Sequence, residues 1–505
     1  MERVAGELLD WIGDEIPHPH TPVHLFCGLG DNGGDGLALA RMLREDGFNI
    51  QVHVVNFGKK RSKGFLLNLE RLKQQKFWPE FLDRDSDLPD LGPEDIVVDA
   101  IFGIGLSRPP EPWVGQLIEH INASGSRVYS VDIPSGLPMD RAPWDPAHVV
   151  RAYQTFSVQW PKLVFFLPTT GPYTGHWELL DIDMEPEYAQ LEESEFEMIG
   201  NFEAMALHRD RAKFAHKGDF GHALIIGGSH GKIGAVQLAA SAALSTGCGM
   251  VTAHVPDCGY HSLQTAVPDV MVLTDPETRL ITKIELPFDP AAIGIGVGMG
   301  TDARTVSAFA GLLKKVERPM VIDADALNIL STHRELLGDL PPNSILTPHP
   351  KELQRLIGPW GDDFEKLEKA KDFVLEHDLI LVIKGAYSIT LSKDGCFVNT
   401  SGNPGLATAG SGDVLTGMLT ALLAQGLASV QAAIFGVFLH GLAGDLAVVD
   451  SSFEAVRAPK IVEKIGQAYL TLIIPEGMDP WDDDDLDEDL DDILGENPFD
   501  DQGLF

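Results

Sequence analysis

The segment 403–417, Asn-Pro-Gly-Leu-Ala-Thr-Ala-Gly-Ser-Gly-Asp-Val-Leu-Thr-Gly, places one carboxylate between small residues and an apolar helix expected over 414–423. Small residues let an anion approach the main chain, and the first turn of a helix offers it free N–H groups. A carboxylate at Asp413 would repel phosphate there, unless it takes a proton from an attacking hydroxyl. Alternatively, Asp413 is only a helix cap. The segment therefore predicts either a phosphoryl-transfer loop or a capped turn.

Further polar motifs stand where β-type runs begin or end in the second half of the chain. They occupy 216–221 with 227–229, 323–328, 347–352 and 384–386. In an open α/β sheet, the residues that follow the carboxyl ends of strands line the ligand crevice. Taken singly, Asp325 could cap a helix and His349 could pack in a Pro-rich turn. Several such motifs in one region favour a shared site.

A glycine-rich turn at 27–36 follows a strand and opens a helix in the first half of the chain. It contains the G-x-G-x-x-G pattern of dinucleotide-binding turns at Gly28, Gly30 and Gly33. That pattern also requires an acidic residue at the end of the second strand, and the run Val-His-Val-Val-Asn at 52–56 supplies none. We therefore interpret the turn as an anion cradle rather than an ordinary NAD site.

Three oxygen-bearing residues follow the next strands of the first half, at Asp99, Asp132 and Ser135. Carboxylate and hydroxyl oxygens suit a hard cation, and nearby Gly103 and Gly105 free the main chain for phosphate. The alternative is that each aspartate caps the turn that follows it.

Short β-type runs alternate with helical patterns along most of the chain. Strands are expected at 23–27, 51–55, 96–99, 128–132, 223–226, 251–255, 292–295, 320–322, 344–346 and 379–383. Helices are expected at 37–44, 113–122, 235–246 and 432–449. This alternation predicts α/β domains with parallel sheets at 1–184 and 209–474. An acidic linker is expected at 185–208, and a disordered acidic tail at 475–505.

Composition and charge exclude several classes of protein. The 505 residues exceed one ordinary core, and the formal net charge of −37 argues against nucleic-acid and anionic-membrane partners. Residues 476–501 alone hold 14 acidic and no basic side chains. The four scattered cysteines favour free thiols in a reducing compartment, and no uninterrupted apolar run of membrane length occurs. We therefore expect a soluble, cytoplasmic protein.

The motifs HKGDFG, IIGGSHGKIGA, DADALN, TPHPKE, IKGAYS and NPGLATAGSGDVLTG closely resemble those of the NAD(P)H-hydrate dehydratases, which have the ribokinase-like fold. The resemblance implies that a nucleotide phosphorylates the hydroxyl of a hydrated nicotinamide ring, and that elimination then restores NAD(P)H. It assigns the proton acceptor to Asp413 and brings Mg²⁺ with the phosphates. The donor implied is ADP (or ATP), and the fusion of two domains resembles the prokaryotic arrangement, which favours ADP.

The same resemblance implies two sets of contacts. The hydrated cofactor would contact Ala235, Gly298, His349 and Asp413. The nucleotide would contact Lys384, Gly385, Ala386, Tyr387, Ser388, Gly410 and Gly412.

The motifs GLGDNGGDG, VDAIFGIGLSRP and VDIPSGL together resemble the NAD(P)H-hydrate epimerases, whose Rossmann-like domain has three α/β/α layers. The resemblance implies interconversion of R and S hydrates, with Asp132 as acid/base and K⁺ held by Asn32, Asp99 and Ser135. Substrate contacts are implied for Asp31, Asn32, Gly33, Gly34, Asp35, Gly103, Ile104, Gly105, Leu106, Ser107, Arg108, Pro109 and Asp132. The family precedes the motif at 1–6 with another helix. Either the start of the sequence is assigned too late, or that helix is absent and part of a substrate wall or of a homo-oligomer interface is absent with it.

A bifunctional cofactor-repair enzyme is thus the first hypothesis. The alternative is a ribokinase-like kinase for a small alcohol of the hydroxymethylpyrimidine or thiazole type, with a non-catalytic binding domain in front. That alternative shares Gly412 and Asp413 but leaves the epimerase-like motifs unexplained.

Overall fold

The computed structural model describes residues 1–184 and 194–474. The expectations for 185–193 and for the acidic tail at 475–505 lie outside the described residues. The chain divides into two compact units, one of Met1–Glu195 with Trp360–Glu368 and the other of Phe196–Pro359 with the chain from Lys369 onward. Each unit is built on one sheet of its own.

The first sheet is parallel throughout, and within 1–184 it has seven strands in the order β3-β2-β1-β4-β5-β6-β7. The strands are β1 (Val23–Cys27), β2 (Ile50–Val55), β3 (Glu80–Leu82), β4 (Ile96–Ala100), β5 (Arg127–Val131), β6 (Gln154–Val158) and β7 (His176–Leu180). The helices are α1 (Glu2–Glu15), α2 (Asp31–Glu45), α3 (Lys63–Gln74) and α4 (Pro112–Ala123). Strands β1 and β4 are buried along their whole length, as expected of central strands covered by helices on both faces.

The strand order of the first sheet reverses between β1 and β4, which are neighbours. A crevice opens at such a reversal, because the two connections leave in opposite directions. The glycine-rich turn follows β1, and Asp99 lies near the end of β4. The topology therefore brings these two motifs to the same edge of the sheet.

The second sheet has ten strands within 194–474, in the order β11-β10-β9-β12-β13-β14-β15-β16-β17-β8. The strands are β8 (Phe196–Ile199), β9 (His222–Ile226), β10 (Met250–Pro256), β11 (Met271–Asp275), β12 (Ala292–Ile295), β13 (Met320–Ile322), β14 (Ile345–Leu346), β15 (Ile380–Ile383), β16 (Ile389–Ser392) and β17 (Gly395–Asn399). All pairs are parallel except the two that β16 makes. The order reverses between β9 and β12, so a second crevice opens there.

The helices after β8 include α5 (Asn201–Met205), α6 (Ile233–Ser245), α7 (Tyr260–Ala266), α8 (Ala303–Leu313), α9 (Ala324–Thr332), α10 (Pro350–Ile357), α11 (Asp363–His377), α12 (Ser411–Ala424), α13 (Ser429–Val449) and α14 (Ala458–Ile473). They belong to the second unit, except that the first residues of α11, 363–368, are counted with the first unit. Helices α12 and α13 are apolar on nearly every face and lie in the core. Among the described helices, only α13 is long and apolar enough to cross a membrane by composition. Two thirds of that stretch is buried inside the unit, which is typical of a core helix.

The covered parallel sheets confirm the α/β class. One boundary differs from the sequence-based expectation, because 196–205 was assigned to the linker 185–208. Strand β8 instead pairs with β17 at the edge of the second sheet, and α5 follows it. Only Ile199 of β8 is buried, so this edge strand tolerates acidic residues and shows little hydrophobic pattern.

Candidate active sites

The loop at 403–410 leads the main chain into the start of α12. Gly410 precedes the helix with a φ of 91°, a left-handed conformation that glycine adopts without strain. Asp413 lies in the first turn of α12. The first N–H groups of a helix have no partner within it, so this end offers anion donors with one carboxylate beside them.

A second carboxylate, Asp323, ties the start of α12 to two other elements. Asp323 follows β13 and is buried, and its Oδ1 accepts a hydrogen bond from Lys384 Nζ at 2.9 Å. Its Oδ2 accepts from Thr416 Oγ1 on α12 at 2.8 Å. Lys384 directly follows β15. The ends of β13 and β15 and the first turns of α12 therefore meet at one buried acid.

The surroundings of Asp413 raise the pKa of its carboxyl group to about 6. Burial has the largest effect, and repulsion from Asp323 comes next. Lys384 opposes this shift, and Asp325 adds to it. Such a carboxyl is ionised at neutral pH yet binds a proton more strongly than an exposed aspartate does. This combination suits a general base.

Two of the residues expected to contact the hydrated cofactor lie against each other. Gly298 follows β12 with a φ of 61°, and a Cβ added to it would lie 3.3 Å from the Ala235 Cβ. The same Cβ would lie 2.9 Å from the main-chain oxygen of Lys232. Position 298 therefore has room for glycine only. It follows β12, at the point where the strand order reverses between β9 and β12.

The third expected cofactor contact, His349, caps α10. Its Nδ1 accepts a hydrogen bond from the Lys351 main chain at 3.1 Å, and Glu352 Oε2 accepts from the His349 main chain at 3.0 Å. Its side chain remains 47% exposed. Burial lowers the pKa of His349, and the charge of Lys384 lowers it further. The imidazole therefore shares the electrostatic environment of the Asp413 site.

The expected nucleotide-binding residues form two neighbouring main-chain segments. The segment 384–388 connects β15 to β16, and Gly412 lies at the start of α12. A Cβ added to Gly412 would lie 3.3 Å from Lys384 Nζ, so the two segments meet there. Gly385, Ala386, Tyr387 and Ser388 continue the first segment, and Ser388 O accepts a hydrogen bond from the Asn399 main chain at 2.9 Å.

The first unit contains a buried oxygen cluster around Asp99. Ser130 Oγ and the Ser135 main chain donate to Asp99 Oδ2 at 2.9 and 2.8 Å, and Ser135 Oγ donates to Oδ1 at 2.5 Å. Asn32 Nδ2 donates to the main-chain oxygen of Phe102 at 2.9 Å, and the Phe102 main chain donates to Ser135 Oγ at 2.8 Å. Burial raises the pKa of Asp99. The three expected K⁺ ligands are thus brought together.

Asp132 follows β5 and makes a close ion pair. Its φ is 70°, which is uncommon for a residue with a side chain. Lys162 Nζ donates to Asp132 Oδ1 at 2.6 Å and to Ser157 Oγ at 2.7 Å. A Cβ added to Gly103 would lie 3.2 Å from the Asn32 Cβ and 3.4 Å from Asp132 Oδ2. Asp132 is therefore placed beside the turn after β4 and beside the oxygen cluster.

Close packing explains two of the glycines in the G-x-G-x-x-G pattern. A Cβ on Gly28 would lie 1.8 Å from the main-chain oxygen of Ile101, and one on Gly33 would lie 1.9 Å from that of Gly28. Gly34 is similarly confined, with the Phe65 main-chain nitrogen 3.0 Å from an added Cβ. Gly33 and Gly34 are buried by this packing, and any substrate contact that they make comes from the main chain because glycine has no side chain.

The other expected substrate contacts of the first unit differ in exposure. Asp31 is exposed and Asn32 half-buried at the start of α2, whereas burial raises the pKa of Asp35 to about 6. The loop at 103–109 runs from the end of β4 towards α4 and is largely exposed, with Ile104 55% accessible. Leu106, Ser107, Arg108 and Pro109 belong to the same loop, with Gly105 between them and Ile104.

Within 1–184 and 194–474, no group of three or more His, Cys, Asp or Glu side chains is arranged to hold a metal ion. The oxygen cluster at Asp99 is of another type, because it contains one carboxylate with hydroxyl and main-chain oxygens, and oxygen ligands suit hard cations.

Two family models match the chain. The model described as NAD(P)H-hydrate dehydratase covers residues 223–467, and the one described as YjeF-related protein N-terminus covers residues 1–164. The bifunctional NAD(P)H-hydrate repair enzyme of Moorella thermoacetica is 35% identical over 87% of this chain and 86% of its own length. That of Thermofilum pendens is 32% identical over 89% and 87%.

This chain belongs to the bifunctional NAD(P)H-hydrate repair enzymes. A ribokinase-like superfamily protein from Enterococcus faecalis matches 56% of the chain and 99% of its own, with a TM-score of 0.50 and 23% identity, which supports the fold of the second unit. These relatives match 87% and 89% of the chain and so span both units, which makes the kinase with an accessory binding domain the less supported hypothesis.

The structure places two further charged residues in these sites, Asp323 and Lys162. Asp323 is the first residue of the DADALN motif, in which the sequence pattern favours Asp325 as a helix cap, and Lys162 lies in a Trp-Pro-Lys-Leu-Val run after β6. Both signals were local. Both residues follow strands, and residues just past the carboxyl ends of strands line the crevice of an α/β sheet, so their position in the sequence is the cue.

Proposed function

We propose that this chain repairs hydrated nicotinamide cofactors. The first unit interconverts the R and S forms of NAD(P)H hydrate, and the second unit dehydrates the S form with a nucleotide as phosphoryl donor. The observation that carries the proposal is the junction of Asp413, Lys384 and Asp323 at the start of α12. The carboxylate base and the start of the helix, which binds anions, lie next to one lysine. This arrangement suits phosphoryl transfer to a hydroxyl group.

The dehydration begins with proton removal by Asp413. The hydroxyl oxygen of the hydrate gives its proton to the carboxylate and forms a bond to the terminal phosphorus of the nucleotide, whose bridging oxygen leaves with the bonding electrons. Main-chain N–H groups of Gly410 and Gly412 hold the transferring phosphoryl group, and Lys384 balances its charge. These donors act most strongly on the charge that develops in the transition state.

Elimination then restores the double bond. The ring C–O bond breaks and its electrons leave with the phosphate, the ring nitrogen supplying electron density, and a proton is lost from the neighbouring carbon. Phosphate is a far better leaving group than hydroxide, which is the reason for the phosphorylation. Bound Mg²⁺ would supply charge neutralisation to the nucleotide phosphates.

Asp132 acts in the epimerisation. Lys162 holds its carboxylate at 2.6 Å. Asp132 gives a proton to the hydroxyl group, which leaves as water while the ring nitrogen lone pair forms an iminium. Water then adds to the opposite face of that carbon and returns the proton to Asp132. Asn32, Asp99 and Ser135 would hold K⁺, and their donor set suits it. Asp99 is a fully buried carboxylate whose hydrogen bonds come from hydroxyl and main-chain donors rather than from a cation. A bound K⁺ would supply the missing positive charge and would fix the turn after β4.

The proposal extends to ADP as the donor and to a cytoplasmic homo-oligomer. The free thiols of Cys27, Cys248, Cys258 and Cys396 support a reducing compartment. Exposed Trp11 and Trp160 side chains on the first unit support self-association, which size-exclusion chromatography with light scattering measures.

One experiment tests both activities. An R/S mixture of NADH hydrate is supplied with ADP or ATP, and the return of reduced-nicotinamide absorbance is followed. Full conversion is expected from the wild type, half conversion from Asp132→Asn after correction for spontaneous epimerisation, and none from Asp413→Asn. No conversion by the wild type would contradict the proposal, and faster turnover with ATP than with ADP would contradict the donor assignment.

A further inference from the structure

Helix α13 is apolar along most of its length, yet His440 and Asp445 interrupt it. Both side chains contact the loop at 401–412, which leads into the Asp413 site. His440 and Asp445 lie outside every motif used above. Their contacts identify α13 as more than a core helix.

Asp445 holds the beginning of the loop. Its Oδ2 accepts a hydrogen bond from the Gly402 main chain at 2.8 Å, and its Oδ1 accepts from Asn403 Nδ2 at 2.8 Å. Asn403 Oδ1 in turn accepts from the Gly405 main chain at 2.9 Å. One carboxylate on α13 therefore sets both the main chain and the capping side chain of the turn that follows.

His440 holds the end of the loop. Its Nε2 lies 3.1 Å from the main-chain oxygen of Ser411 and 3.2 Å from Ser411 Oγ. A main-chain oxygen can only accept, so the hydrogen of a neutral imidazole must be on Nε2. Burial lowers the pKa of His440 to about 4, which keeps the ring neutral. Ser411 stands between Gly410 and Gly412, the two residues that hold the phosphoryl group in the proposed reaction.

Between these two residues, α13 and the loop pack at close range. A Cβ added to Gly441 would lie 2.1 Å from Ser401 Oγ, and one added to Gly444 would lie 2.5 Å from a methyl of Leu406. Ser401 Oγ also donates to the main-chain oxygen of Phe438 at 2.7 Å. The helix face from 438 to 445 thus contacts the loop at both ends and in its middle.

We infer that His440 and Asp445 are positioning residues for phosphoryl transfer, which fix the main chain of Gly410–Gly412 through Ser411 and Asn403. This inference rests on the proposed function of the second unit. Preorganised donors act on the transition state, so loosening them should lower kcat more than it raises the KM for the nucleotide. A misplacement of about 1 Å in such a site is enough for a rate loss of about 100-fold.

The test compares His440→Leu with His440→Gln, since a Gln amide nitrogen can reach the position of the imidazole Nε2 and donate from it. With S hydrate and ADP, we expect His440→Leu to lose about 10- to 100-fold in kcat with a smaller change in KM. We expect His440→Gln to recover most of that loss. Ile434→Ala, a buried change one helical turn before the residues of α13 that contact the loop, should lower the melting temperature but leave kcat unchanged.

Asp445→Asn is the second test, because it keeps the shape and removes one of the two acceptors. We expect a kcat loss of the same kind, and a double variant with His440→Leu that loses less than the product of the single losses. Epimerisation by the first unit measures the amount of intact chain, and the KM for the nucleotide together with the melting temperature measures the integrity of the second unit in each variant. A folded His440→Leu or Asp445→Asn protein with wild-type kcat would overturn the inference. Wild-type protein that fails to dehydrate the hydrate would instead overturn the proposed function.

Discussion

Replacing Asp413 by Asn should slow dehydration strongly and at the same time stabilise the second unit. The carboxyl pKa rises from 3.8 to about 6 on folding. Each pKa unit between the folded and unfolded chains corresponds to about 1.4 kcal/mol. Keeping this group ionised in the folded site therefore costs up to about 3 kcal/mol of unfolding free energy.

The contribution of Asp413 to the unfolding free energy depends on pH, and the direction of its pKa shift gives the sign of that contribution. The folded chain binds a proton on Asp413 more tightly than the unfolded chain does, so the group favours folding only where it is protonated. This stability is present below pH 3.8 and is lost as the pH rises through about 6. The amide of Asp413→Asn has no charge at any pH. The variant should therefore exceed the wild type by up to about 3 kcal/mol at pH 8, and by little at pH 4.

Denaturant unfolding at pH 4 and pH 8, followed by a signal of the second unit, measures this difference. The exposed Asp394→Asn serves as the control and should change little at either pH. Dehydration by Asp413→Asn should fall by about 10²–10⁴, and the wild-type kcat/KM should decline tenfold per pH unit below about 6. A variant that is equally destabilised at both pH values, or that dehydrates the hydrate normally, would refute the reasoning.

The other predictions separate the two units. Lys162→Met should lower epimerisation by about 10²–10⁴ and leave dehydration intact, as chiral analysis of the hydrate would show; equal loss of both activities would argue for misfolding instead. Gly298→Ala should raise the KM for the hydrate, because its Cβ would lie 2.9 Å from the Lys232 main-chain oxygen; an unchanged KM would place the substrate elsewhere. Exchanging K⁺ for Li⁺ should slow epimerisation only, and equal rates in both salts would argue against a K⁺ site.

Strand positions were predictable from sequence where the strands are buried on both faces. The runs at 23–27, 292–295 and 320–322 have the observed bounds of β1, β12 and β13, because central parallel strands are mostly apolar and a Gly or Asp follows each of these three. The edge strand β8 was not predictable in the same way, since its exposed positions carry no hydrophobic requirement. Sequence patterns thus predict the central strands of a sheet better than its edge strands.

In the candidate sites, residues that act by holding other residues were also not predictable from sequence. Asp413 and Asp132 were recognisable because each directly follows a strand or a glycine-rich turn. His440 could not be identified as a site residue from sequence, because a histidine on an apolar helix is usually interpreted as an ordinary core residue. Its partner Ser411 lies 29 positions away. Only the folded chain shows that the two groups meet.

Helix α13 has a consequence for how the second unit is synthesised. Its apolar surface is covered partly by α14, which follows it in the chain, and buried residues of the two helices share one cluster. That surface therefore stays exposed on the ribosome until residues 458–473 have emerged, so the second unit can complete its core only late in translation. We expect the nascent chain to depend on chaperones at this stage, whereas the first sheet, whose last strand ends at Leu180, can form while translation continues.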